Sequence, residues 1–321
     1  MLGPIAAAMA LTLAAVPAAA QEIRTAAPDA SPSPPAAAAQ PVTTVGIGET
    51  VDWSAAEDPN PAYYRAGPLS LTLRGAKDAD ALVQPVLTVE MSGFAAVDVQ
   101  GSLSRPGLDH RIIVGAWDGE RPYVLFQSFT GGAHCCNMIR LVVPEGGRLS
   151  VADLGIWDGD YLEELPTDLD GDGRLDFVFR DDALLYAFAS YAESFAPPLV
   201  LNVVDGQVVD VSDRPGFRPM FLEAMADARQ SCASLGLPDS DGPSSNGACA
   251  GFVASAARAG RFDEAWAQML AAYDRDSDWP LPQGCRTRPA EGECPAADVI
   301  AFDDYPDALR AFLVRQGYIS R

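Results

Sequence analysis

The sequence predicts an α+β protein: an antiparallel β domain, either a propeller-like array or a sandwich meander, followed by a small disulfide-stapled α-helical domain. Three observations lead to this prediction. Short segments of strand-like composition, bounded by Gly, Pro and Asp, recur between residues 69 and 204. Beyond residue 219 the chain changes to mostly Ala-rich segments with apolar residues three or four positions apart, which is typical of helices. Four of the six cysteines also lie in this last part.

The N-terminal segment is predicted to be a secretory signal peptide at residues 1–20. It has no charged residue and ends in Pro17-Ala18-Ala19-Ala20 before Gln21, which is a small-residue cleavage pattern. Its apolar part, residues 5–20, is shorter than the ~20 residues that a membrane span needs. Residues 21–41 are rich in Ala, Pro and Ser and are predicted to form a flexible leader. We therefore expect a periplasmic or extracellular protein with no stable membrane span after signal cleavage.

Residues 42–215 are predicted to form the β domain. The closely spaced segments, with turn residues between them, indicate an antiparallel meander. Asp205-Gly206 separates two apolar runs and predicts a hairpin, because a type I′ turn needs positive φ. We expect strands at residues 69–73, 82–91, 94–99, 111–117, 123–129, 138–143, 149–154, 175–180 and 199–204.

Residues 216–321 are predicted to form the helical domain. Gly260 separates two helical patterns and is expected to act as a helix stop in a tight αα-hairpin. Helices are expected at residues 221–235, 248–259, 262–273 and 305–318. In an oxidising compartment an even number of cysteines favours disulfides. Three pairings are possible for the four cysteines, and our first expectation joins Cys285 to Cys294 and Cys232 to Cys249.

The charge of the chain excludes some classes of function. There are 44 acidic and 22 basic residues, which gives a net charge of −22. A nucleic-acid partner is not expected, because like charges repel. Lys77 is the only lysine, so a lysine-rich phosphate site is excluded. The sequence has no nucleophile elbow, P-loop, dinucleotide fingerprint or H-E-x-x-H motif.

The strongest motif is an acidic loop at residues 168–176, with the sequence DLDGDGRLD. Carboxylates at positions 1, 3, 5 and 9 and a glycine at position 6 can wrap oxygens around a hard cation, and the carbonyl of position 7 adds a further ligand. Position 12 is Phe179 rather than the bidentate Glu of an EF-hand. The predicted cofactor is Ca²⁺. Its predicted ligands are Asp168, Asp170, Asp172, Arg174 (through its carbonyl) and Asp176.

The same loop resembles the calcium loops of FG-GAP and VCBS-type repeat proteins, the family that includes the integrin α-chain propellers. There a D-x-D-x-D-G-x-x-D stretch connects two strands, and residues 168–176 match it. The resemblance implies a structural ion in an extracellular protein that is concerned with binding. Together with residues 131–136 and 186–191, it makes the chain similar to exported bacterial proteins described only as containing such repeats. That similarity implies no known activity.

A second motif lies at residues 130–137, where two glycines precede His134, Cys135 and Cys136. Oxidised, the two sulfurs would close a ring that is redox-labile or locally rigid. Reduced, His134 with one thiolate would bind a soft metal or form a nucleophile–base pair. The structural interpretation is that one cysteine belongs to the core, or that the two bridge elsewhere. We favour it, because successive residues of a strand point to opposite faces.

The leading functional hypothesis is a non-enzymatic binding or scaffolding module, with an unknown protein or a carbohydrate as its ligand. Ten acidic residues lie between Asp158 and Asp182 against two arginines, and this field would attract Ca²⁺. The second hypothesis is a secreted hydrolase that uses His134 and these acids. The third is a redox-responsive protein that acts through Cys135–Cys136.

Overall fold

The structure is a computed structural model that describes residues 41–54, 60–77, 82–117, 119–133, 135–159, 162, 164–235, 244–287 and 294–320. The predicted signal peptide, residues 21–40 of the leader and His134 lie outside the described residues. Within these ranges no helix has the length and apolar character that a membrane span requires.

Four sheets occur in the described part of the chain, two of them with five strands. The first has the order β1-β3-β4-β5-β6, the second β10-β9-β8-β7-β2, the third β11-β12-β13 and the last β14-β15. The strands are β1 (Val42–Thr44), β2 (Thr50–Ser54), β3 (Ala62–Ala66), β4 (Leu69–Lys77), β5 (Val83–Met91), β6 (Val97–Gln100), β7 (Asp109–Ala116), β8 (Pro122–Phe129), β9 (Cys135–Glu145), β10 (Arg148–Asp158), β11 (Phe177–Arg180), β12 (Pro198–Val204), β13 (Gln207–Asp210), β14 (Gly284–Cys285) and β15 (Val299–Ile300).

The second sheet forms the middle layer of the β part. One of its faces shares a hydrophobic core with the first sheet, where Leu71 and Leu87 meet Phe126. Its other face shares a core with the third sheet, where Leu125 meets Phe177. Strand β8 is therefore buried on both faces along nearly its whole length, which explains why it reads as a continuous apolar run rather than as an alternating one.

The predicted β-rich α+β class is confirmed. All the strands predicted from residue 69 onward are present, and they pair antiparallel with their neighbours. The hairpin turn has positive φ at Asp205 (52°) and Gly206 (76°), as a type I′ turn requires. Strands β1, β2 and β3 were not predicted, and β1 pairs with β3 in parallel. The sheets stack in layers, and none of them closes into a barrel.

The helices follow the third sheet in the sequence, at positions close to the predicted ones. They are α1 (Arg218–Leu235), α2 (Asn246–Arg258), α3 (Phe262–Ala272) and α4 (Tyr305–Arg315). One disulfide joins Cys232 to Cys249, between α1 and α2, and another joins Cys285 to Cys294. This is the pairing that we expected first.

The helices share their core with a segment of the β part. Leu184 and Phe188, which follow β11, pack into the core of α1, α2, α3 and α4. On α2, a Cβ added at Gly247 or Gly251 would overlap the main chain of residues 193–195, so these glycines permit a close backbone approach. The division into domains at residues 215 and 216 stays a prediction.

His110 is the second residue of β7. The ring is fully buried between the hydroxyls of Ser104, at 3.2 Å from Nε2, and Ser128, at 3.0 Å from Nδ1. Burial lowers the pKa of His110 to about 4, because a charged imidazolium is poorly solvated there. His110 is therefore a neutral core residue at physiological pH.

Candidate functional site

The acidic loop is closed at its base by an antiparallel bridge between Thr167 and Asp176. The Asp176 N–H donates to the Thr167 carbonyl at 2.9 Å. Between these two residues the chain turns through Gly171 and Gly173, whose φ angles are 80° and 82°. Side chains with a Cβ rarely adopt these angles, so both glycines are required by the shape of the loop.

Main-chain donors hold the first carboxylate of the loop. Asp168 accepts from the N–H groups of Gly171 (2.8 Å), Asp172 (3.1 Å) and Gly173 (2.9 Å). An ionised carboxylate offers about four lone-pair positions, so one position remains for a further partner. The loop is thus wound around Asp168 by its own backbone.

The last carboxylate of the loop is held from two sides. Asp176 is only 1% exposed. Its Oδ2 accepts from the Leu169 N–H at 2.7 Å, and its Oδ1 accepts from Nδ2 of Asn202 at 2.6 Å. Among the described residues the Oδ1 atom of Asn202 has no hydrogen-bond partner. Asn202, which comes from β12, therefore fixes the carboxylate and adds an uncommitted oxygen beside it.

Three of the predicted ligands converge. Carboxylate oxygens of Asp168, Asp170 and Asp176 all lie within 4.8 Å of one another, which is close enough to share one ion. Asp172 is placed differently, because its Oδ2 atom lies 2.5 Å from a guanidinium nitrogen of Arg214. The same nitrogen lies 3.3 Å from Oδ2 of Asp170. Asp168 and Asp176 thus belong only to the shared centre and Asp172 only to the ion pair with Arg214, whereas Asp170 belongs to both.

Arg214 is a loop partner that the sequence did not reveal. It precedes a 3₁₀ turn, Pro215–Phe217, that leads into α1. A Cβ added at Gly216 in this turn would overlap the side chain of Asp170, so the loop lies directly against the start of the helices. Arg214 and Asn202 are distant from the loop in sequence, and nothing in their local pattern marks them as partners.

The second predicted motif is partly described. Cys135 and Cys136 are bonded to each other, so the interpretations with a core cysteine or with separate bridges are wrong. All six cysteines are paired. Across the sheet, Cys135 pairs in register with Asp158. His134 lies outside the described residues, and so do Asp160 and Glu163 of the same acidic stretch.

Two acids of that stretch come together at the end of β10. The Asp158 N–H donates to Oδ2 of Asp182 at 2.5 Å. The pKa of Asp182 is raised to about 6, mainly by burial and further by the charges of Asp158 and Asp181. A carboxyl group with such a pKa can hold or release a proton near neutral pH.

The fold and these sites define a β-rich α+β protein with three disulfides and a clustered set of carboxylates. A family model, the sll0997 C-terminal domain, matches residues 223–317. The probable thylakoid lumen protein sll0997 of Synechocystis is 37% identical over 239 residues, which cover 73% of this chain and 68% of that protein. The chain belongs to the sll0997 family.

A second relative is the uncharacterized protein y4bJ of Sinorhizobium fredii. It is 32% identical over 200 residues, which cover 62% of this chain and 30% of that protein. No solved structure matches the chain. The predicted location in a periplasmic or extracellular type of compartment is confirmed, because the Synechocystis relative is named for the thylakoid lumen, which is likewise separated from the cytosol.

Proposed function

We propose that this chain is an exported binding or scaffolding module whose acidic loop holds a structural Ca²⁺ ion. The observation that carries the proposal is the convergence of Asp168, Asp170 and Asp176 within 4.8 Å. Ca²⁺ accepts 6–8 oxygens in flexible geometry. The three carboxylates and the carbonyl of Arg174 would supply part of this set, and water would supply the rest.

Charge supports the ion. The loop concentrates the carboxylates of Asp168, Asp170, Asp172 and Asp176, and Arg214 is the cation paired with two of them. Carboxylates this close repel one another unless positive charge is added. A divalent cation together with Arg214 would offset most of that charge.

The position of the loop indicates what the ion does. The loop precedes β11, it contacts β12 through Asn202, and it touches the turn before α1 through Arg214 and Gly216. An ion held there would fasten the third sheet to the start of the helices. Its role is therefore stabilisation of a binding scaffold, and the ligand is proposed to be a protein or a carbohydrate.

The proposal is tested by calorimetric titration of the metal-free chain with Ca²⁺, together with thermal melting with and without a chelator. At an ion concentration of 100 times Kd, binding adds about 2.7 kcal/mol to the free energy of unfolding, which for a chain of this size raises Tm by roughly 4–5 °C. Asp168→Asn should remove this increase, because the loop loses a charged ligand. The amide oxygen can still accept from the Gly171 and Asp172 N–H groups, whereas the Gly173 N–H loses its acceptor.

The matched control is Asp227→Asn, which makes the same chemical change at an exposed position of α1. It should leave both the binding heat and the Tm increase unchanged. Mg²⁺ should replace Ca²⁺ poorly, because it requires a tighter octahedron. The proposal fails if the unmutated chain shows no binding heat and no Tm shift with Ca²⁺.

A further inference from the structure

A second group of side chains lies where the second sheet meets the segment after β11. We name it the seam cluster. It consists of Cys135–Cys136, Asp158, Arg180, Asp182, Tyr186 and Tyr191. It shares no residue with the acidic loop.

The backbone at this place has two unusual conformations. Gly159, directly after β10, has a φ of 126°, and Tyr186 has a φ of 59°. A non-glycine residue rarely adopts such an angle, and residues of this kind concentrate at functional sites. Hydrogen bonds fix Tyr186 there: its carbonyl accepts from the indole N–H of Trp279 at 3.1 Å, and its N–H donates to Ser194 Oγ at 3.2 Å.

This backbone places two tyrosine rings side by side. The ring centroids of Tyr186 and Tyr191 are 5.7 Å apart, and the ring planes are inclined by 39°. Tyr186 is 44% exposed although it is a large apolar residue. The two rings are in contact and together form an aromatic surface, which we call the tyrosine wall, and the Tyr186 ring is its exposed part.

Polar groups of both signs border the wall. A guanidinium nitrogen of Arg180 lies 3.4 Å from the Tyr191 hydroxyl. Asp158 is next to Gly159, where an added Cβ would lie 3.9 Å from the Tyr191 hydroxyl and 3.5 Å from a guanidinium nitrogen of Arg180, so this end of β10 lies beside the wall. The N–H of Asp158 is held by Asp182. The wall is thus flanked by a hydrogen-bond donor, Arg180, and by Asp158, whose main chain is held by Asp182.

The bonded cysteine pair adds an uncharged surface beside Asp158. Cys135 is the residue opposite Asp158 in the register of β9 and β10, at an irregularity between Trp157 and Asp158, so the cysteine pair lies next to Asp158. The Cys136 N–H donates to Thr130 Oγ1 at 2.8 Å, which fixes the pair. A Cβ at Gly132 would overlap the Cys135 carbonyl oxygen. Both cysteines are half-buried, so the pair has partial access to solvent.

We propose that the seam cluster binds a neutral sugar ring. A pyranose has an apolar C–H face that would stack on the tyrosine wall, with hydroxyls that would donate to Asp158 and accept from Arg180. A few fixed polar groups beside an aromatic surface are typical of small-ligand sites. This inference rests on the binding-module part of the proposed function and not on the calcium ion.

An organic cation fits the cluster less well than a sugar. Cations are recognised by aromatic faces that surround them, and two rings in mutual contact cannot enclose an ammonium group. A sugar ring needs one apolar surface and paired donors and acceptors, and the cluster provides these.

The experiment is saturation-transfer NMR on the full chain with three probes: cellobiose, maltose and N,N′-diacetylchitobiose. We expect at least one to bind in the millimolar range or tighter, with the strongest transfer to the C–H protons of the ring. Tyr186→Gly removes the aromatic ring, while glycine accepts a φ of 59° without strain, so this variant should fold. It should weaken binding at least about tenfold, which is about 1.4 kcal/mol.

Two further variants complete the test, and choline serves as a competing ligand. Arg180→Gln, at an exposed position, should also weaken binding, whereas Tyr63→Ala, a half-buried tyrosine of β3, should not. The inference is overturned if none of the three sugars binds at millimolar concentration, if Tyr186→Gly binds as tightly as the unmutated chain, or if choline binds in preference to the sugars. Repeating the titration with Asp168→Asn separates the two sites, since sugar binding should persist when Ca²⁺ binding is lost.

Discussion

The acidic loop and the seam cluster both collect carboxylates, but they are assembled in different ways. The three converging ligands of the loop come from the nine consecutive residues 168–176, and main-chain donors of the same loop hold Asp168. The seam cluster combines the ends of β9 and β10 with residues 180–191. One site is local in sequence, and the other depends on packing.

The difference teaches how each site is stabilised. In the loop the carboxylates face one another and repel. Arg214 offsets part of this negative charge, and a bound cation would offset more of it. In the seam cluster burial raises the pKa of the Asp182 carboxyl to about 6. Protonation of this group can therefore lower the negative charge of the cluster. We therefore expect the loop to respond mainly to metal and the seam cluster mainly to packing and pH.

The largest expected effect comes from Gly251→Ala on α2. A Cβ there would overlap the carbonyl oxygen of Phe195, which is main chain and cannot turn aside. The helix gains about 1 kcal/mol in propensity, whereas forcing the backbones apart costs typically 1–3 kcal/mol, occasionally more. Because the opposing atom is main chain, we expect a cost at the upper end of this range and hence a net loss of about 2 kcal/mol in the free energy of unfolding, measured by urea denaturation.

The same variant also tests the independence of the two sites. The segment that Gly251 supports carries Tyr186 and Tyr191, so sugar binding at the seam cluster should weaken. The Ca²⁺ affinity of the loop should stay within the error of the titration. An equal loss of sugar binding and of Ca²⁺ binding would show that the seam cluster and the acidic loop form one cooperative unit.

A smaller effect is expected from Arg214→Gln. The guanidinium is paired with Asp170 and Asp172, and it is about one-third exposed. Without it the metal-free chain should lose about 1 kcal/mol of stability. Ca²⁺ should then bind several-fold more tightly, because a neighbouring positive charge no longer repels it. The Tm increase on adding Ca²⁺ should therefore be larger than in the unmutated chain.

The conservative variant Arg214→Lys is the control for charge. It keeps the positive charge but replaces the planar guanidinium, one nitrogen of which contacts both carboxylates, by a single ammonium group. Its Ca²⁺ affinity should stay close to that of the unmutated chain. A gain in affinity equal to that of Arg214→Gln would show that geometry rather than charge limits binding.

The contrast between the sites also explains what could be predicted from the sequence. The loop was predictable because the spacing of its carboxylates and glycines determines its turn. The strands from residue 69 onward were predictable from their composition and turns, whereas β1 and β2 are short and largely exposed and leave little apolar pattern. Arg214, Asn202 and the seam cluster could not be predicted, because tertiary packing of residues far apart in sequence creates them.

The smallest effect is expected from Asp182→Asn, and it depends on pH. The pKa of Asp182 is about 6 in the folded chain against an ordinary value of 3.8. The folded state therefore holds the proton more tightly than the unfolded state does. The stabilisation from this group is complete below pH 3.8 and is lost as the pH rises to about 6.

Asparagine keeps an oxygen that accepts the Asp158 N–H but does not ionise, so the variant should gain stability over the unmutated chain as the pH rises. A shift of this size corresponds to about 3 kcal/mol for a fully buried group, and because Asp182 is half-exposed, screening by solvent reduces the expected gain to roughly 1 kcal/mol. Urea denaturation at pH 4 and pH 7 measures it, with Asp227→Asn as the control. A gain that is the same at both pH values would mean that the carboxyl ionises equally well in the folded and unfolded chains, and the seam cluster would then lose its distinction from the loop.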